Sequence, residues 1–443
     1  MVKHVRNTAL ALALGAALGV MSAPALAGAS DSDRLNELQQ KLDQSLKMIE
    51  ALSNRVHELE AHQPAATASA AAPAPAPAPA PAEAQRLDTV EQKVAQIETA
   101  NASRRGDDTG LPIHGFADVG GGTHNPYNPG LKGANIGELD FYLTPTIGGN
   151  VRSLFELNFE VSPGGTVGVD LERAQIGYQF SDQATVWLGR FHTPYGYVNT
   201  ALHHGLWVAE ALRRPKFLQF EDHGGAMPAH TVGAWLTGAL RNGDGKLLYD
   251  VYAGNGQQIQ GGLIDMRNAG NLHGSMMGGG RLGYQFTGGA LEGLTLGVHA
   301  FTDRIDDDQM PANITRLKVY GGYVVYDTDS WENIVEFYAF NNEDLTGNTG
   351  SHRSNAGFGQ FAYRAGWGVP YVRYEKAHFD QTDQFFAQQT NVNSGNSYYR
   401  SAAGVRFDVN LKSAIKFEFA NTHQTDGLVG QYNEVLAQYA IRF

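Results

Sequence analysis

The last twelve residues, Tyr432 to Phe443, constrain the chain more than any other stretch. Counting back by twos from Phe443 gives Ile441, Tyr439, Ala437 and Val435, all apolar. The other register gives Arg442, Ala440, Gln438, Leu436 and Glu434, mixed and partly charged. A period of two with one apolar and one polar face is a strand lying between two different media. About ten residues is also what a tilted strand needs to cross a bilayer. A sandwich strand alternates in the same way, so the reading depends on the rest of the chain.

The chain opens with Lys3 and Arg6, an apolar run from Ala9 to Val20, and the small residues of Ala25-Leu26-Ala27. That pattern predicts a secretory signal over residues 1–27, its apolar run being shorter than the roughly 20 residues of a spanning helix. Without Lys3 and Arg6 the expected mature chain has 31 basic and 45 acidic groups, a formal charge of −14, which argues against nucleic acid as a partner. Cysteine is absent, so neither disulfides nor thiol chemistry is available. Glycine is abundant at 53 residues and aromatic residues make up 10%. No later segment holds a long apolar run. An exported, Gly- and aromatic-rich chain of this kind predicts an outer-membrane barrel, whose lipid face is spread over alternate residues.

Residues 28–62 carry a heptad stripe: Leu35, Leu38, Leu42, Ser45, Ile49, Leu52, Val56 and Leu59, flanked by charged and amide side chains. This predicts a periplasmic coiled coil that associates with copies of itself, with a lone amphipathic helix as the alternative. Residues 63–85 are Ala/Pro-rich and strictly alternating from Pro73 to Pro81, a semi-rigid spacer. A second short heptad piece and linker fill 86–110, with Leu87, Val90, Val94 and Ile97 in register.

From Leu111 the period changes to two. The pattern predicts an all-β, transmembrane antiparallel barrel over 111–443 with about sixteen strands, an even number as such barrels require. Where alternation is clean, facing follows from cost, because a charge at mid-bilayer on the lipid face costs roughly 2–4 kcal/mol. Arg152, Glu156, Asn158 and Glu160 then face the lumen, as do Arg173, Gln175, Lys412, Lys416 and Glu418. Charges of both signs on the inner face suit a water-filled channel. Short turns such as Gly148-Gly149 alternate with long loops at 193–228, 255–275, 303–314, 342–355 and 377–397.

The longest loop follows Trp187-Leu188-Gly189-Arg190-Phe191-His192-Thr193-Pro194-Tyr195-Gly196. That stretch, with its Leu-Gly-Arg-Phe strand end and Thr-Pro-Tyr-Gly turn, resembles the phosphate-selective porin family and its general-porin relatives. The terminal Phe443 resembles the assembly signal of outer-membrane barrels generally. The resemblance implies passage of small hydrophilic solutes or ions, a pore narrowed by the long third loop, and a homotrimer in contact with membrane lipid and lipopolysaccharide. The repeated lysine–arginine ladder of anion-selective members is not visible in the sequence.

A loop inside a channel sets selectivity by placing charge where the bore is narrowest. Arg190, Arg213, Arg214 and Lys216 are the expected cationic wall, with Glu221 and Asp222 opposite, and His192 is expected in the pore lining and in one segment with the histidines that follow. His203, His204 and His223 in the same loop are candidate metal ligands, but adjacent histidines lack helical i, i+4 spacing, and fifteen are scattered along the chain. Ordinary loop histidines and no cofactor are therefore the expectation. Asp303 and Asp306–Asp308 read as a solvated loop tip. Neither a Gly-x-Ser-x-Gly elbow nor a His-Glu-x-x-His pair occurs, so no catalytic residues and no enzyme are expected. A tether reaching toward the cell wall through residues 28–110 is the alternative function, and a barrel enzyme a more distant one.

Overall fold

The computed structural model describes residues 113–123, 132–145, 147–161, 165–204, 207–220, 225–264, 274–308, 310, 313–347, 349–391, 394–426 and 430–443. The expected signal peptide, coiled coil, Ala/Pro spacer and second heptad piece lie outside these residues.

The strands are β1 (Ile113–Gly122), β2 (Gly133–Leu143), β3 (Val151–Val161), β4 (Val167–Ser181), β5 (Ala184–His192), β6 (His230–Asn242), β7 (Gly245–Asn255), β8 (Gln258–Gln260) and β9 (Leu263–Ile264). They continue as β10 (Met276–Phe286), β11 (Leu294–Asp307), β12 (Ile314–Asp327), β13 (Trp331–Asp344), β14 (Ser351–Tyr363), β15 (Val369–His378), β16 (Tyr398–Asn410), β17 (Ser413–Gln424) and β18 (Gln431–Arg442). The tiny hairpin β8–β9 sits inside a connection and leans on β11. The other sixteen strands pair antiparallel with their neighbours, β7 with β10, and close where β1 pairs with β18. Closure leaves no edge, which is what a sheet in lipid requires.

The inner and outer faces follow the alternation. Along β17 and β18, Phe417, Phe419, Val435 and Tyr439 are exposed to the outside, while Lys416, Glu418, Glu434 and Gln438 are buried inside. The seam is finished by the last residue. Phe443 N–H donates to Gly115 O at 3.0 Å, and Gly115 N–H to Phe443 O at 3.2 Å. A side chain at Gly115 would come within 2.3 Å of the Phe443 ring, so glycine is what leaves the ring its seat against Phe141.

Connections alternate between two rims. The rim holding Ile113 and Phe443 has the tight turns, with left-handed glycines Gly148 (φ 108), Gly149 (φ 57) and Gly243 (φ 57). The opposite rim carries the longer loops. Two of the expected long loops are shorter than predicted, because β11 runs on to Asp307 and β13 to Asp344 while β14 starts at Ser351. Asp303, Asp306 and Asp307 are accordingly buried rather than a solvated tip. Asp303 accepts backbone N–H from Gln257 and Arg304, which is why the strand tolerates it.

Candidate functional site

The connection between β5 and β6 is pinched at its base. Thr193 N–H donates to Ala229 O at 2.9 Å, and the Asn199 amide donates to both Thr193 O and Ala229 O at 3.0 Å. From this neck the chain turns through Pro194, Tyr195 and Gly196 into a single helical turn, α1 (Val198–Ala201). Gly196 has φ +55, and a Cβ there would lie 2.2 Å from the Tyr338 hydroxyl, so only glycine fits. Glu336 of β13 accepts N–H from Tyr197 at 2.8 Å and Val198 at 2.7 Å, while Arg281 of β10 donates to Gly196 O at 2.7 Å.

Beyond α1 the loop is gripped by strands on the other side of the barrel. Arg406 of β16 donates to Trp207 O at 2.7 Å and Lys416 of β17 to Ala209 O at 2.6 Å. Arg213 pairs with Glu434 of β18 at 2.7 Å. Lys216 N–H donates to Glu375 of β15 at 2.6 Å, and Phe217 N–H to the Tyr398 hydroxyl at 3.0 Å. All these partners belong to the inward parity of their strands, so the loop lies across the bore. Its Tyr195, Val198, Phe217, Leu218 and Met227 join Tyr338, Phe340, Phe358 and Tyr398 of the wall in one buried apolar cluster. A second connection adds Phe385 and Phe386 from α2 (Gln384–Ala387), Phe386 stacking on Phe379 at 4.1 Å. Between loop and wall runs a narrow gap lined by Leu202, His204, Ala209, Arg213, Gln360 and Arg373, among others.

The expected site residues divide into three groups. Arg213, Lys216 and Lys416 meet where loop and wall touch. Burial, then the neighbouring Arg400, pulls the Lys216 amine down to about 8. Arg190 and Arg214 are braces instead: Arg190 Nε donates to Glu172 O at 3.1 Å, and Arg214 donates to Leu218 O, His203 O and Asn199 Oδ1 at 2.6–3.1 Å. Arg152 and Lys412 lie at the turn rim, Arg152 bonded to Gly149 O at 3.0 Å and Lys412 N–H to Asn410 Oδ1 at 2.8 Å. Both side chains are exposed there. Glu221, Asp222 and His223 fall outside the described residues. The carboxylates facing the described cations are the wall's Glu375, Glu418 and Glu434.

On the β2–β6 side the loop meets a cluster of imidazoles and carboxylates. His192 ends β5 opposite His230, which begins β6. His203 stacks on His192 at 3.4 Å, and its Nε2 lies 3.0 Å from His230 Nε2. His204 stacks on Phe220 and lies 3.0 Å from the Asn158 amide and 3.4 Å from Glu138. Burial alone lowers a histidine, but Glu172, Asp140 and Glu138 outweigh it and hold His204 well above its usual range. His203 is pushed well below that range by burial and by His192. Glu156 pairs with Arg173 and lies 3.5 Å from His192 Nε2.

The central acid, Glu172, is one that alternation hides. With Arg173 and Gln175 inward, parity sends Glu172 to lipid. Instead β4 bulges, so that Glu156 pairs with Arg173 and Leu157 with Leu171, and Glu172 is left over with its side chain buried inside. Bulges re-aim side chains in this way. Arg373 of β15 and Arg400 and Arg406 of β16 were also missed.

No family model and no curated relative matches the sequence. Among solved structures, the barrel is similar to an anion-selective porin from Comamonas acidovorans at 12% identity and a TM-score of 0.50, covering 75% of this chain and 98% of that one. Salmonella typhi OmpF in complex with daunomycin is similar at 12% identity, over 75% of this chain and 97% of that one, with a TM-score of 0.47. The outer membrane channel DcaP of Acinetobacter baumannii follows at 8% identity, with the same two coverages and a TM-score of 0.44. The likeness to the Comamonas barrel shows the fold, that of a Gram-negative outer-membrane porin. The phosphate-selective subdivision is not shown by it; that resemblance rests on Trp187–Gly196 and the final strand.

Proposed function

We propose that the chain is an outer-membrane channel for passive diffusion of small hydrophilic solutes or ions, with anions favoured, and that the loop after β5 narrows its pore. The observation that carries this reading is the loop itself, fastened across a closed sixteen-stranded barrel by hydrogen bonds to inward residues from β10 to β18. The residues lining the gap beside it include Arg213, Arg214 and Arg373 and no carboxylate, and a cationic constriction favours anions. The heptad segment supports a homotrimer with a periplasmic stalk, and the exposed Phe417, Phe419 and Val435 suit contact with the lipid of the outer membrane. Contact with lipopolysaccharide at the loop rim and with the cell wall through the stalk belongs to the same proposal.

The test is conductance of the purified protein in a planar bilayer under a salt gradient. Steady steps with a reversal potential of anionic sign support the reading, and the opposite sign overturns the anion preference. Silence from folded protein moves the tether function of residues 28–110 ahead. For a channel with a separate stalk, deleting 28–110 leaves single-channel conductance intact.

A further inference from the structure

The ligand atoms of Glu172, His192, His203 and His230 lie within 4.8 Å of one another, and all four side chains are buried. The geometry aims three of them, and His192 stacks on the His203 ring beside them. His203 Nδ1 lies 2.8 Å from Asn199 O, and a carbonyl only accepts, so the proton sits on Nδ1 and Nε2 presents its lone pair. That Nε2 is 3.0 Å from His230 Nε2 and 3.9 Å from Glu172 Oε2, while His230 Nε2 is 2.7 Å from the same oxygen. A single N–H on His230 cannot serve both neighbours. Glu172 Oε2, on a side chain 2% exposed, receives no well-aligned hydrogen bond, and His192 Nε2 makes none either. Bonds of about 2.0–2.2 Å around a tetrahedral zinc ion set its ligand atoms about 3.3 Å apart. The separations found here straddle that value.

The surroundings match a ligand set as well. His204 Nε2 stands 3.2 Å from Glu172 Oε2, where it orients the carboxylate, and Arg190 holds the backbone of the bulge that delivers it.

We propose that Glu172, His192, His203 and His230 form a binding site for one divalent transition-metal ion, zinc by its three imidazoles and one carboxylate, which fastens the loop to the barrel wall. Of the four, His203 alone belongs to the loop; the others sit on β4, β5 and β6. The ion therefore ties the loop down on the side where backbone hydrogen bonds to the wall are sparse. Metal binding is read without any conductance, so this proposal and the channel reading fail separately.

The experiment uses the full-length protein, folded in detergent as shown by heat-modifiable migration, stripped with a chelator and titrated with zinc against a chromophoric competitor. Cobalt(II) is the spectroscopic probe. One zinc per chain is expected, together with the intense visible absorption of tetrahedral cobalt. His203→Asn and Glu172→Gln, each still heat-modifiable, weaken zinc binding by about tenfold or more. His352→Asn, whose ring pairs with Asp380 elsewhere, leaves it unchanged. Folded protein that takes up no stoichiometric zinc, a pale octahedral cobalt spectrum, or variants that bind like the parent each overturn the proposal. If a variant does not fold, the cobalt spectrum of the parent protein decides.

Discussion

The two sides of the lumen hold the same loop by different chemistry. Toward β15–β18, guanidinium and ammonium groups grip backbone carbonyls: Arg406 on Trp207 O and Lys416 on Ala209 O. Arg406 is paired with Asp408 at 2.9 Å and the loop's Glu210 at 3.5 Å, and beside it Arg373 pairs with Glu375 at 2.9 Å and Arg400 with Glu418 at 3.1 Å. Toward β2–β6 the contacts are imidazole to imidazole and imidazole to carboxylate, crowded and poorly aligned. The first side is held by direct bonds from wall cations to loop carbonyls, with Arg213 Nη2, Arg400 Nε and Glu210 Oε2 left without a hydrogen bond among the described residues. The second has converging lone pairs, a geometry that a cation completes. A loop spanning the bore thus has one anchor set by folding and another set by what the compartment supplies.

The largest test of that picture removes the loop. Replacing residues 198–227 by a short Gly-Ser link preserves the neck at Thr193 and Ala229 but clears the bore. Single-channel conductance is expected to rise several-fold, and an unchanged conductance refutes a loop that narrows the pore. The next test breaks one anchor at a time. Glu336→Ala leaves the N–H groups of Tyr197 and Val198 and the Tyr338 hydroxyl without their buried acceptor, a loss on the order of 2–4 kcal/mol. Proteolysis within the loop and noise on the open-channel current report the release. Without metal, His204→Asn on the opposite side is expected to release the loop much less.

A smaller effect tests the charged side through pH. The buried Lys216 amine has a folded value of about 8, against its usual value of 10.5. A base lowered on folding is penalised while charged, so the penalty is present in full below pH 8 and fades as pH rises toward 10.5. The loop is therefore held more firmly at pH 10 than at pH 7. Over the same rise Lys216 gives up its positive charge, and its share of the anion preference falls, by less than a factor of about two because nearby charges and salt screen it. Reversal potentials at pH 7 and 9 measure this. Lys216→Arg, which stays charged, flattens the slope, and an unchanged slope in that variant assigns it elsewhere.

Much of the barrel was legible because alternation is a property of single strands. Val435, Ala437 and Tyr439 face outward, and Lys416 and Glu418 inward, as the period of two dictates. The histidine cluster was legible only in fragments. His192 and His203 stand out in one segment, but His230 lies beyond the loop, and its pairing with His192 is a matter of register between β5 and β6. Glu172 was hidden for a sharper reason. A bulge breaks the very periodicity from which facing is read, and nothing in Leu171-Glu172-Arg173 announces it beyond two charges in succession. That doublet is the available signal and a weak one, since Glu375-Lys376 of β15 are consecutive charges in unbroken register. Arg152 and Lys412 show the converse limit, since parity gives the face of the sheet and is silent about height along the axis.

Those two residues supply the smallest prediction. Arg152→Ala and Lys412→Ala, singly or together, remove cations that a reading by facing alone places in the lumen. In the structure both stand at the turn rim among solvent-exposed neighbours, Arg152 capping Gly149 O and Lys412 within the β16–β17 turn. Charges there are screened over about 8–10 Å at ordinary ionic strength and do not control the field at the constriction. Reversal potential and conductance are expected to stay within experimental error of the parent. Arg213→Ala, by contrast, removes a cation beside the gap, leaves Glu434 to Arg400, and shifts the reversal potential toward cations. If the rim variants shift selectivity as much as Arg213→Ala does, height along the axis is irrelevant, and the constriction is not where the loop crosses the bore.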